Sequence, residues 1–176
     1  ARAIGDEPAE PRICLLHPGS GGMRKCWPVD AYIELARALV EICTPLLLFG
    51  PAEIERGVFE SARKRAPDIP VIACTEASEL ASLLTAADAF VGNDAGPAHL
   101  AGLLGANAIA LFGPSAAEVW RPLGQRVTVI SGRPREDGER WGITNEAVLA
   151  NVAKLLAQPR CIVASAFPDD GGRQCE

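Results

Sequence analysis

The chain is expected to fold as an α/β domain built on a doubly wound, parallel, Rossmann-like sheet of about six strands. Three observations lead there. Six short, largely apolar runs occur, at 13–16, 46–49, 71–73, 89–91, 108–112 and 126–130. They alternate with stretches whose apolar residues recur at helical spacing. The chain has 176 residues, 48% of them hydrophobic, enough to bury one core. Strands that are apolar at every position are buried on both faces, as in a parallel sheet covered by helices. Right-handed crossovers then give the strand order 3-2-1-4-5-6.

Residues 1–11 lack periodicity and are expected to be a linker, with the folded domain over 12–158 and an irregular tail over 159–176. Strand one, Ile13 to Leu16, stops at His17-Pro18-Gly19-Ser20-Gly21-Gly22. Pro28 and Asp30 open the first helix, with Tyr32, Leu35, Ala36, Leu39 and Val40 on one face. Pro45 is expected to mark a break before strand two, Leu46 to Phe49. A single second helix is expected from about Ala52 to Ala66, stopped by Pro67, then strand three at Val71 to Ala73. Helix three runs from Glu76 to Ala87 with Leu80, Leu83 and Leu84 inward. Strand four, Ala89 to Val91, is broken by Gly92, Asn93 and Asp94; Gly96-Pro97 then starts helix four, because proline suits a first helical turn. That helix closes at Gly105 before strand five, and strand six covers Arg126 to Ile130. Thr144 is expected to cap the last helix, whose inner face is Val148, Leu149, Val152, Leu155 and Leu156.

In this strand order, strands one and four are neighbours where the winding reverses, and ligands bind in the crevice at their carboxyl ends. The loops falling there, His17 to Lys25 and Gly92 to His99, are the two most polar, glycine-rich turns in the chain. A glycine-rich turn beside a helix start offers free N–H groups and a positive dipole end, which suits phosphate. The first loop lacks the third glycine of the dinucleotide fingerprint, since Arg24 stands there, and no phosphate loop of the G-x-x-x-x-G-K-[ST] type occurs. A net charge of −5 argues against a nucleic-acid binder. No 18-residue apolar run or leader peptide is visible. The first residue is Ala1 rather than Met, which fits a processed or excised piece, with a fragment and a natural half both left open. Six cysteines, at 14, 26, 43, 74, 161 and 175, form no C-x-x-C pair; a reducing, cytoplasmic setting with no metal site is expected. Arg24 and Lys25 are expected to stabilise a Cys26 thiolate and make it the most reactive thiol.

Three motifs in order resemble glycosyltransferase family 9, the ADP-heptose:lipopolysaccharide heptosyltransferases. They are His17-Pro18-Gly19-Ser20 with Arg24-Lys25-Cys26-Trp27-Pro28, Gly92-Asn93-Asp94-Ala95-Gly96-Pro97-Ala98-His99, and Leu111-Phe112-Gly113-Pro114-Ser115. The resemblance runs from about Ile13 to Leu156. It implies the C-terminal, donor-binding half of a two-domain GT-B glycosyltransferase that acts with inversion in lipopolysaccharide or related glycan synthesis. The implied partners are a nucleotide-sugar donor and, through a missing N-terminal domain, a glycan or lipopolysaccharide acceptor. No separate cofactor is implied, and the setting would be cytoplasmic, with room for a peripheral place at the inner membrane.

Carried over by motif, Ser20 and Gly21 would meet the diphosphate and Lys25 would neutralise it. Asp94 would bind the sugar, Gly96 and His99 would lie beside the phosphates, and Thr75 would line the adenine. Glu53, with Glu55 as an alternative, would accept from the ribose or base. Ala95 departs from the family, which commonly has Thr or Ser there, so a hydroxyl is lost. The plainer readings are a helix cap for Asp94, a core histidine at 99 and a solvated helix-start carboxylate at 53. The catalytic base is not identified. Two other functions stay open: a stand-alone nucleotide-sugar-binding module without transferase activity, and half of a GT-B-like epimerase.

Overall fold

The computed structural model describes residues 11–133 and 140–158. The rest of the expected linker, the tail, Cys161 and Cys175 lie outside the described residues. The elements are β1 (Ile13–His17), α1 (Val29–Leu39), β2 (Thr44–Phe49), α2 (Pro51–Glu55), α3 (Val58–Arg65), β3 (Val71–Ala73) and α4 (Ala77–Ala86). They continue as β4 (Ala89–Asn93), α5 (Gly96–Leu103), β5 (Ala108–Phe112), α6 (Ala117–Trp120), β6 (Val127–Ser131) and α7 (Asn145–Leu156). The six strands form one sheet in the order β3-β2-β1-β4-β5-β6, and every pairing is parallel.

The alternation of side chains across the pleat explains why the strands carry no polar face. Cys14, Leu16, Val91, Ile109 and Leu111 point to one side, into a core shared with α1 and with Val148 and Val152 of α7. Leu15, Phe90, Ala110 and Phe112 point to the other, against Leu84 of α4 and Ala98 and Ala101 of α5. Both sides are closed over the middle of the sheet, so the central strands are apolar between their ends. Thr144 caps α7 as expected, its hydroxyl accepting from Ala147 N at 3.2 Å.

Five sequence expectations are corrected. The expected single helix over 52–66 is two helices, α2 and α3, because Arg56 and Gly57 turn between them and Gly57 takes φ of +72°. That left-handed conformation suits glycine and ends a helix. Pro45 lies inside β2 rather than before it. Its neighbour Thr44 uses its N–H toward β1, on Arg12 O, while β3 pairs only with Leu47–Phe49, so the N–H that proline lacks would face no strand. β4 runs on through Gly92 to Asn93, with Gly92 in register beside His17. Val40 lies past the end of α1 and is exposed, not on its buried face. β6 begins at Val127, one residue later than expected. The four-residue α6 is too short to leave a helical period in the sequence. No described helix is long and apolar enough to cross a membrane.

Candidate functional site

The site is built from the carboxyl ends of β1, β2 and β4, where the sheet order changes direction. Asn93, the last residue of β4, is fully buried and holds the whole first loop. Its Nδ2 donates to Pro18 O at 2.9 Å and Gly19 O at 3.1 Å. Its Oδ1 accepts from Trp27 N at 2.9 Å and from the Tyr32 hydroxyl at 3.1 Å. One amide thus fixes both ends of the segment from Pro18 to Trp27. A second brace comes from Arg56, whose guanidinium donates to Ser20 O and Gly21 O at 3.1 Å each. It reaches them because the chain turns at Gly57.

Between these braces the loop faces a cavity of about 620 Å³, lined by 20–25 together with Asp94 and Ala95. At Gly21 and Gly22 nothing lies within 4 Å of where a Cβ would stand, so a ligand can approach the bare backbone. Lys25 Nζ crosses to Asp94 Oδ2 at 2.8 Å; the lysine side chain is 42% exposed and the aspartate 6%. His99, on the first turn of α5, brings Nε2 within 3.7 Å of Asp94 Oδ1. It is 41% exposed, so it is no core histidine. Asp94 does not cap α5 either; Ala95 occupies that position and no side chain caps the helix.

A second pocket, about 220 Å³, lies alongside, walled by His17, Leu48, Gly50, Thr75, Leu80 and Pro97 among others. It is smaller than the roughly 300 Å³ at which pockets for drug-sized ligands begin, and suits one heterocycle. Glu53 is buried at the start of α2, with Oε2 accepting from Gly50 N at 3.1 Å, and lines neither cavity. Gly19 lies directly over that carboxylate, where a Cβ would stand 2.2 Å from Glu53 Cδ. Glu55 is exposed and lines neither cavity. The structure therefore brings Ser20, Gly21, Lys25, Asp94 and Ala95 onto one cavity and Thr75 onto its neighbour. Glu53 lines neither, and Gly96 and His99 stand in the first turn of α5, just after Asp94 and Ala95.

The family model of glycosyltransferase family 9 (heptosyltransferase) matches residues 2–163. The chain belongs to glycosyltransferase family 9. It is 31% identical over 156 residues to lipooligosaccharide heptosyltransferase 2 of Haemophilus influenzae, covering 78% of this chain and 45% of that protein. It is 31% identical over 114 residues to lipopolysaccharide heptosyltransferase 2 of Escherichia coli K12, covering 62% of this chain and 33% of that one. Among solved structures it resembles the E. coli ADP-heptose lps heptosyltransferase II, with a TM-score of 0.70 and 28% identity over 84% of this chain and 47% of that chain. The chain spans less than half the length of each of these relatives.

The electrostatics of this family 9 domain follow from the same contacts. Burial pushes the Asp94 carboxyl up, but the hydrogen bond from Lys25, with the Ser115 hydroxyl, the Lys25 charge and His99 nearby, outweighs it and holds it below the usual value. Cys26 departs from expectation. Burial first, then the Glu53 carboxylate, raise its thiol, against an opposing pull from Arg56. Lys25 is turned to Asp94 and Arg24 is exposed, so neither supplies the expected activation of the thiol. Two contributors escaped the sequence reading. Asn93 reads as a strand breaker within the second motif, with no role of its own, and Arg56 is hidden inside a helix that the structure divides.

His17 is also tuned by its surroundings. Burial lowers it to about 4, against backbone groups of Gly19 and of His17 itself. In the unfolded chain an imidazole takes its proton near pH 6.5. Because the folded value is depressed, this contribution is full above about pH 6.5 and is lost as pH falls toward 4, where only the unfolded state binds the proton. Stability is expected to drop by about 3 kcal/mol from this group across that window. Urea midpoints at pH 7 and pH 4.5 check it, and His17→Phe should remove that part of the slope.

Proposed function

We propose that this chain is the donor-binding domain of a family 9 glycosyltransferase, taking a nucleotide sugar of the ADP-heptose kind for lipopolysaccharide or related glycan synthesis. The observation that carries this reading is the Lys25–Asp94 pair, which joins the two glycine-rich loops at 2.8 Å over the 620 Å³ cavity. It sets a cation and a carboxylate where a diphosphate and a sugar would lie side by side. The family and the name of the 28%-identical solved relative support the choice of donor.

In this reading the Ser20 hydroxyl, the Gly21 N–H and the start of α5 at Gly96 receive the diphosphate, and Lys25 neutralises it. Asp94 accepts from sugar hydroxyls, and His99 stands beside the phosphates. Glu53 accepts from the ribose, and the pocket beside Thr75 holds the base. Ala95 brings no hydroxyl to the donor, so donor preference is expected to differ from relatives with Thr or Ser there. The folded unit is 12–158, with a linker at 1–11 and a tail at 159–176. Such a reaction belongs in the cytoplasm, beside the inner membrane.

Inverting transfer forms a bond from the acceptor oxygen to the anomeric carbon as the bond to the diphosphate breaks, and a base takes the acceptor proton. The described crevice offers groups for the leaving diphosphate. Its two buried carboxylates are engaged, Asp94 by Lys25 and Glu53 by the backbone of Gly50. We therefore assign the base and the acceptor site to the remaining half of a family-length protein. An assay for nucleoside diphosphate release with donor and acceptor present tests this. No acceptor-dependent turnover is expected from these 176 residues, and turnover should appear when an acceptor half is supplied. Turnover by the chain alone would place the base within it.

A further inference from the structure

Of the three motifs, Leu111-Phe112-Gly113-Pro114-Ser115 supplies no residue to the lining of either cavity. It forms the end of β5 and the turn that follows, and that turn is held from the end of β6. A Cβ at Gly113 would overlap the indole of Trp141, and one at Gly132 would overlap the Trp141 carbonyl. Trp141 is 8% exposed, and its O accepts from Arg133 N at 2.7 Å. Gly132 N donates in turn to Phe112 O at 2.8 Å. Trp141 is thereby clamped onto the turn, and packing this close fixes where Ser115 stands.

That place is beside Asp94. β4 and β5 pair as far as Asn93 and Leu111, and Asp94 N donates to Leu111 O at 3.1 Å, so the two strand ends open into adjacent turns. The Ser115 hydroxyl lies near enough to the Asp94 carboxylate to help hold its charge. Yet Ser115 Oγ is buried and makes no hydrogen bond among the described residues. A buried hydroxyl without a partner is costly and uncommon, and alanine would pack there without that cost. Asp94, its side chain 6% exposed, meets Lys25 at 2.8 Å, with His99 Nε2 3.7 Å away. A carboxylate accepts more hydrogen bonds than that. In the donor reading Lys25 also serves the diphosphate. Drawing it off would leave a buried charge short of a donor, which is strongly unfavourable.

We propose that Ser115 is a positioning residue for Asp94: its hydroxyl, unused in the free chain, donates to the carboxylate when a diphosphate draws Lys25 away, and so keeps Asp94 aimed at the donor sugar. This rests on the nucleotide-sugar reading above. A hydroxyl rotates without any movement of the backbone, so a turn fixed by Trp141 still supplies the bond.

Two measurements on the 176-residue chain test this, each variant first checked for cooperative unfolding. The first needs no ligand: carbon-detected NMR follows the Asp94 carboxyl through a pH titration. In a Lys25→Ala background, adding Ser115→Ala should raise the Asp94 midpoint by about one further pH unit, and Ser115→Thr, which keeps the hydroxyl, should not. The second is calorimetry with ADP and ADP-heptose. Ser115→Ala should bind ADP-heptose about tenfold more weakly than wild type and keep its ADP affinity within about twofold, because Asp94 meets the sugar. Ser115→Thr should hold both affinities. Ser115→Cys, close in size but a weak donor, should act as alanine does and carries the test if the alanine variant does not fold. An Asp94 midpoint indifferent to Ser115 in the Lys25→Ala background overturns the proposal and leaves the donor-site reading standing. So does an affinity for the two ligands that is unchanged, or lost equally, in Ser115→Ala. Wild type that binds neither ligand overturns the donor-site reading and the role of Ser115 with it.

Discussion

Replacing Asn93 by alanine will cost the fold about 3 kcal/mol or more, through partners left without water or protein to satisfy them. The side chain is fully buried and makes four hydrogen bonds, to Pro18 O, Gly19 O, Trp27 N and the Tyr32 hydroxyl. Its removal leaves a donor and two carbonyls of the first loop short of partners, each such loss being worth roughly 1–3 kcal/mol. Against a total stability of about 5–15 kcal/mol for a domain this is a large share. The urea midpoint should fall sharply at little change in slope, and nucleotide affinity should fall with it, because the loop loses the tie at both its ends. Asn93→Asp is no rescue: it keeps an acceptor for Trp27 but gives up the donor to Pro18 and Gly19 and adds a buried charge. A cost below about 1 kcal/mol in the alanine variant would mean that Arg56 and the rest of the loop hold its shape without Asn93.

Lys25→Ala is expected to separate stability from binding. The lysine is 42% exposed and reaches Asp94 at 2.8 Å, so the fold should lose little, as with most partly solvated ion pairs. Affinity for a nucleoside diphosphate should fall by roughly 1.5–3 kcal/mol, the range for hydrogen bonds to charged groups, or about ten- to a hundred-fold in Kd. Asp94 would lose a hydrogen bond that holds its carboxyl down, so its titration should move upward, a shift that carbon-detected NMR can follow. Unchanged affinity in calorimetry, with the Asp94 shift present, would confine Lys25 to a structural role at the loop.

The sheet and its crevice were legible because they depend on signals written along the chain. Six short, largely apolar runs implied strands covered on both faces, and the polar glycine-rich turns fell at the carboxyl ends of the two strands where the winding reverses. What stayed hidden depends on contacts across the chain. Asn93 reads as a breaker after an apolar run, and only the pairing of β4 beside β1 brings its amide under Pro18 and Gly19. Arg56 sits in a stretch with acceptable helical composition, and the turn at Gly57 that frees it to reach the loop leaves only a lone glycine in the sequence. Pro45 looked like a stop because proline removes a ladder hydrogen bond. That penalty vanishes where β3 is too short to reach it. Cys26 follows two cations in the chain, yet its surroundings are set by burial and by Glu53.

The account is tested most directly by titrating ADP into the ¹⁵N-labelled chain and following its amide resonances. Gly21, Gly22, Lys25, Thr75, Gly96 and His99 come from three separate stretches that meet only at the crevice, and they should shift together along one saturable curve. Val129 of β6 and Val152 of α7, away from the crevice loops, should stay in place. Shifts confined to residues outside the crevice, or none at saturating ADP, would contradict the assignment of this crevice to a nucleotide-sugar donor.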